Sequence, residues 1–174
     1  MLIVAQVVGI TAVALYLISF QLKRRRHMVL VTCISNCLYV LQYCLLGAFS
    51  GAVLDVLSTI SSFLAGKKNA PGFQRYVKPF AAGSCIVILI AGAILAIIRK
   101  SWIEWLPIAG ALLQTGGLWF QKEQTIRKFA LAGAPFWLLY NFLSQAYGAA
   151  FGSLLTILSA LIAMLRYRGR DGAG

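Results

Sequence analysis

The stretch LYVLQYCLLGAFSGAVLDVLSTISSFLAG, residues 38–66, decides the fold, because an echo of it stands 97 residues later as PFWLLYNFLSQAYGAAFGSLLTILSALIA, residues 135–163. Ten of the 29 aligned positions are identical, among them Tyr43/Tyr140, Gly51/Gly148, Ala52/Ala149, Thr59/Thr156 and Ser62/Ser159. Leucine matches carry little weight in apolar sequence, whereas paired tyrosine, glycine and hydroxyl positions are not generic hydrophobes. The reading is an internal duplication, and a repeat has to be settled before topology. In each copy an apolar run reaches a short turn, at Gly47–Gly51 or Ser144–Gly148, and a second apolar run returns. Each copy therefore reads as a helical hairpin.

Composition fixes the solvent. The 174 residues are 60% hydrophobic and 11% charged, with a mean hydropathy of +0.83. Soluble domains carry about 25% charged residues, so this is an integral membrane protein. A net charge of +12 would suggest nucleic acid in a soluble chain. Here the basic residues lie in short runs between apolar segments, as positive-inside loops do, and no nucleic-acid partner is expected. Cys33, Cys37 and Cys44 share one apolar segment and Cys85 lies in another. They read as small helix-packing residues rather than disulfides or metal ligands.

Seven segments approach the roughly 20 residues a helix needs to cross a hydrocarbon core. They fall near Leu2–Leu22, Met28–Leu46, Gly51–Ala65, Pro79–Ile98, Trp105–Phe120, Phe129–Ala146 and Gly148–Leu165. The first lacks a basic residue ahead of it and precedes the run Lys23-Arg24-Arg25-Arg26, so it reads as a retained helix with its N-terminus outside. That orientation puts 14 of the 16 Lys and Arg residues on the cytoplasmic side and leaves only Arg99 and Lys100 on the other. The expected fold is all-α and polytopic: seven transmembrane helices as two parallel three-helix repeats joined by a linking helix. The first repeat takes residues 1–66, the cytoplasmic loop and linking helix 67–100, the second repeat 101–168, and a disordered tail 169–174. Phe20-Gln21 answers Phe120-Gln121 at an offset of 100, which predicts about three residues lost from the second repeat's basic loop.

The run Leu106-Pro-Ile-Ala-Gly110, the phrase Trp137-Leu-Leu-Tyr-Asn141 followed by Tyr147-Gly148, and the basic exit Leu165-Arg-Tyr-Arg168 resemble the YgjV family of bacterial inner-membrane proteins across nearly the whole chain. That resemblance implies a location and an architecture rather than an activity. More distantly, the arrangement resembles SWEET sugar transporters, PQ-loop transporters and the KDEL receptor, since parallel repeats are an established transporter plan. SWEET gating is associated with a proline in each of the first, second, fifth and sixth helices. Here only Pro107 and Pro135 lie in or at the start of such helices, and Phe20 and Phe120 precede the glutamines where PQ-loop proteins have proline. Gating is not carried over.

The candidate functional residues are polar or aromatic side chains inside apolar spans. Helix two offers Asn36, Tyr39, Gln42 and Tyr43, and helix six Trp137, Tyr140, Asn141, Ser144 and Gln145. Asn36, Tyr43, Trp137 and Asn141 are the expected substrate-binding set: an amide supplies hydrogen bonds and an indole a stacking plane for a small polar, sugar-like solute. Asp55 is the only acid inside an apolar span and reads either as a solvated carboxylate at a vestibule rim or as a cation or proton site. Its counterpart at the 97-residue spacing is Gly152. Tyr39, Tyr140, Asp55, Gln21 and Gln121 are the pathway or gate candidates, the two glutamines recurring at equivalent inner helix ends. Ser58, Ser62, Thr156 and the Gly148–Gly152 small-residue face read as packing. With no nucleophile elbow, paired carboxylates or phosphate-binding glycine loop, no catalytic residue, metal or cofactor is expected, and the chain does not read as an enzyme. The expected partners are the bilayer, anionic lipid headgroups at the basic loops, and a small polar solute; an oligomer is allowed but not required. A non-transporting receptor or scaffold of the same fold is the alternative.

Overall fold

The computed structural model describes residues 2–21, 25–68, 72–120 and 123–167. Among them the chain forms seven α-helices, α1 (Leu2–Gln21), α2 (Arg25–Leu45), α3 (Phe49–Ala65), α4 (Val77–Arg99), α5 (Trp105–Leu118), α6 (Glu123–Leu143) and α7 (Tyr147–Tyr167). Short 3-10 turns at Gln74–Tyr76 and Trp102–Glu104 lead into α4 and α5, and no strand occurs among the described residues. Helices α2 and α6 begin at Arg25 and Glu123, ahead of the expected Met28 and Phe129. Hydropathy marks the apolar span alone, while Arg, Lys, Glu and Gln are good helix formers that carry the helix on into the polar zone. Gln121 and the expected disordered tail, 169–174, lie outside the described residues.

Apolar and polar residues are distributed in the reverse of the usual soluble pattern. Ile3, Ile97, Ile98, Phe142 and Ile162 are between 62% and 79% exposed, whereas Ser35, Gln42, Thr115 and Asn141 are buried. Water would disfavour so much contiguous apolar surface; hydrocarbon does not. The run Gln74–Arg99 is, among the described residues, the one helical segment that by length and composition alone could cross a membrane. Shorter apolar runs occupy Leu2–Tyr16, Ile34–Leu45, Phe49–Ala65 and Tyr147–Leu158.

Helix α2 packs on α1 and α3, and α6 packs on α5 and α7. Across the middle, α1 lies on α7 and α3 on α5, while α4 rests on α3 and α5. Helix α4 buries a single stripe, Ile88, Gly92 and Ala96, spaced by one helical turn. Gly92 is needed there, because a Cβ would fall 2.5 Å from Ile108 Cγ1. Glycine also permits the α1–α7 contact, where a Cβ on Gly148 would meet the Gly9 backbone at 2.6 Å.

The two helical turns share one backbone hydrogen-bond pattern at a spacing of 98. In the first, the N–H groups of Leu46, Gly47 and Ala48 donate to the carbonyls of Gln42, Cys44 and Tyr43; in the second, those of Ser144, Gln145 and Ala146 donate to Tyr140, Phe142 and Asn141. The left-handed residue is Gly47 (φ 69°) in one and Gln145 (φ 58°) in the other. The spacing holds between the flanking helices as well. Ser35 Oγ donates to the Ala12 carbonyl at 2.7 Å, and at the corresponding place a Cβ on Gly133 would lie 2.9 Å from the Gly110 carbonyl oxygen. Letter identities favour 97, but a one-residue shift turns every side chain by about 100° around its helix, and backbone hydrogen bonding leaves no such freedom. Asp55 therefore corresponds to Ser153 rather than Gly152, and Tyr43 to Asn141 rather than Tyr140. The basic loops in which a loss of about three residues is predicted lie in part outside the described residues.

Candidate functional site

The polar side chains of α2, α3, α5, α6 and α7 converge on one cavity of about 320 Å³. Each is present because its helix turns that stripe inward. Asn36, Tyr39 and Tyr43 follow one another at spacings of three and four along α2, and Trp137 and Asn141 do so along α6. The four residues expected to bind substrate, Asn36, Tyr43, Trp137 and Asn141, all line this cavity, as do Asp55 and Tyr39.

The centre of the cavity wall is a relay of hydrogen bonds. Tyr43 Oη donates to Asn141 Oδ1 at 2.8 Å, Asn141 Nδ2 donates to Ser153 Oγ at 3.1 Å, and Ser153 Oγ donates to the Ala149 carbonyl at 3.1 Å. Tyr43 and Asn141 are corresponding residues of the two hairpins, so this bond joins the hairpins at their midline. Asn36 Nδ2 donates to Thr59 Oγ1 at 2.9 Å, which ties α2 to α3. Thr156 Oγ1 is turned back onto the Gly152 carbonyl at 3.0 Å and Ser62 Oγ onto Ser58 at 2.7 Å, the packing use expected of helical hydroxyls. By contrast, three buried atoms of cavity-lining residues have no hydrogen-bond partner among the described residues: Asp55 Oδ2, Ser58 Oγ and Thr115 Oγ1. Buried polar atoms are nearly always paired, so these three stand out as unmet hydrogen-bonding capacity beside the cavity.

Aromatic rings set the remaining walls. The Tyr43 and Trp137 rings are 6.4 Å apart, and Trp137 is held from behind by Tyr140 at 6.2 Å in an edge-on contact. Trp137 reaches its position because residue 110 is glycine, since a Cβ there would lie 2.7 Å from Trp137 Cδ1. Gly152 does the same for Tyr39, whose Oη would sit 2.6 Å from a Cβ. Tyr140 is not among the residues lining the cavity. Its Oη accepts from the Gly51 N–H at 3.0 Å, satisfying a free donor in the first turn of α3. Gln6 Oε1 serves the Gly148 N–H of α7 in the same way at 3.4 Å, and Gln6 Nε2 donates to the Gln145 carbonyl at 2.5 Å. Gln21 closes α1.

Two basic side chains fasten opposite ends. Lys68 Nζ donates to the Leu118 carbonyl at 2.9 Å and the Phe120 carbonyl at 2.5 Å, where the end of α5 leaves carbonyls unpaired. At the other end Arg99 donates to the Gly47 carbonyl and stands 3.8 Å from the buried carboxylate of Glu104. Sequence reading did not single out Lys68, Glu104, Gln6, Ser153 or Thr115. Gln6 and Thr115 carried a readable signal as isolated polar residues in apolar runs, whereas Lys68 and Glu104 sit among polar neighbours at span ends. Two further concavities, of about 440 Å³ between α3 and α4 and about 510 Å³ between α1 and α7, open on the apolar exterior and offer few polar groups.

An apolar exterior around a hydrogen-bonded polar interior defines a helical membrane protein. The chain belongs to the Imp-YgjV family of bacterial inner membrane proteins, whose profile matches residues 3–171. No curated protein and no solved structure matches the chain.

Proposed function

We propose that the chain is a carrier of small polar solutes, sugar-like or other metabolites, and not an enzyme. In this reading it spans the inner membrane seven times, with α1–α3 and α5–α7 as parallel three-helix units, α4 as linker, the N-terminus periplasmic and the C-terminus cytoplasmic. Support for the layout comes from the concentration of Lys and Arg on one side and from the matching turns at a spacing of 98. Inverted units could not place both turns at one end.

The observation that carries the function is the cavity between the two units. It brings the amides of Asn36 and Asn141 and the rings of Tyr43 and Trp137 around one space of about 320 Å³. Polar side chains inside a membrane domain face cavities that a solute uses. In proteoliposomes the protein is expected to carry at least one member of a panel of sugars, polyols, amines and small acids, and Asn141→Ala and Asn36→Ala are expected to slow that flux. Absence of flux for every solute overturns the carrier reading. A stoichiometric protein partner that survives high salt would then support a receptor or scaffold.

A further inference from the structure

We infer that the cavity selects a monovalent organic cation, an alkylammonium group, with Asp55 as its counter-ion. The inference rests on the carrier reading and narrows it from polar solutes in general to one charge class. Asp55 is the only carboxylate on the described cavity wall, and none of the described lining residues is Lys, Arg or His. Its Oδ2 is buried with no hydrogen-bond partner among the described residues. An ionised carboxylate in a membrane interior requires a counter-charge, and no described lining residue carries a positive one. Of the two lysines that follow α3, Lys67 lies over the Phe63 ring and Lys68 has its ammonium committed to the Leu118 and Phe120 carbonyls.

The rest of the wall suits an organic rather than an inorganic cation. Tyr39, Tyr43 and Trp137 line the same space as Asp55, and aromatic faces attract alkylammonium groups through the ring quadrupole. Among the described residues no group of three His, Cys, Asp or Glu is placed to hold a metal ion. A volume of about 320 Å³ admits roughly ten non-hydrogen atoms at the ~30 Å³ that one water occupies in the liquid, far more than a bare alkali ion fills. The asymmetry between the hairpins fits as well. Ser153, which corresponds to Asp55, already receives the Asn141 amide, so a single charge marks one side of the cavity.

Choline and its uncharged carbon isostere, dimethylbutanol, test this on the wild-type protein in nanodiscs by calorimetry, because the two differ in charge and hardly in shape. Choline is expected to bind at least about thirtyfold tighter than the isostere, the ratio that corresponds to an unpaired buried charge. Asp55→Asn should abolish the preference, and Asp55→Glu should restore part of it in protein that elutes as a single species. Equal affinity for choline and dimethylbutanol overturns the inference, as does stabilisation by sodium alone with no further effect of choline. Flux of sorbitol in proteoliposomes without choline binding sinks the cation site and leaves the carrier. Choline binding without choline flux does the reverse.

Discussion

The α2–α3 and α6–α7 hairpins turn on the same three backbone hydrogen bonds, yet one has glycine at the left-handed position and the other has glutamine. Along the helices the substitutions continue: Tyr39 against Trp137, Tyr43 against Asn141, Asp55 against Ser153 and Ser50 against Gly148. Backbone geometry is common to the two, and the chemistry facing the cavity is not. The difference teaches where constraint lies. A turn tolerates exchange of side chains as long as its carbonyls and N–H groups are paired, whereas a cavity shared by two hairpins needs only one copy of each functional group.

The comparison breaks most sharply at Ser50 and Gly148. A side chain at 148 would collide with the Gly9 backbone, which has no rotamer with which to yield. Gly148→Val is expected to destabilise the protein by about 3 kcal/mol, read as a lowered midpoint in a mixed-micelle SDS titration. The midline bond comes next. Asn141→Leu strands the buried Tyr43 hydroxyl and removes the donor to Ser153, which keeps its own bond to the Ala149 carbonyl, and should cost about 2 kcal/mol, whereas Tyr43→Phe removes one donor and should cost about 1 kcal/mol. A double mutant close to the Asn141→Leu value would show that the two act as one unit, and strict additivity would contradict the bond.

Exchange at the left-handed position sharpens the comparison with two opposite signs. Gly47→Ala imposes a Cβ at φ 69° and should destabilise by about 1 kcal/mol, while Gln145→Gly relieves φ 58° and should stabilise by about the same amount. If both substitutions destabilise, the Gln145 side chain makes a contact that outweighs its backbone strain. The smallest effect is expected at Ser50, whose buried hydroxyl has no hydrogen-bond partner among the described residues. Ser50→Ala should change stability by less than about 0.5 kcal/mol in the same titration.

Much of this was legible from apolar runs. All seven helices fall where hydropathy puts them, because each apolar run between polar punctuation is long enough for several helical turns. The charged starts of α2 and α6 escaped, since Arg25 and Glu123 extend a helix without adding hydropathy. The cavity was legible in part: Asn36, Tyr43, Trp137 and Asn141 stand out as polar or aromatic residues in apolar helices, and they do meet. Tyr140 resembled Tyr43 in letter and neighbourhood but sits one position off the equivalent stripe, so it props Trp137 and the start of α3. The 97-residue register misled for the same reason, because identity scoring counts letters and is blind to which face of a helix they occupy.

The 98-residue register also prescribes how this protein can be cut and recombined. A chimera that replaces residues 25–52 with 123–150 carries each turn's hydrogen bonds over intact and presents Trp137 and Asn141 where Tyr39 and Tyr43 stood. Taking 122–149 instead, the segment that letter identity recommends, rotates the graft by about 100° and sends its amides towards lipid. Gene fusions that duplicate one half of the molecule, to make a protein with two identical faces, have a single junction spacing that keeps these turns in register.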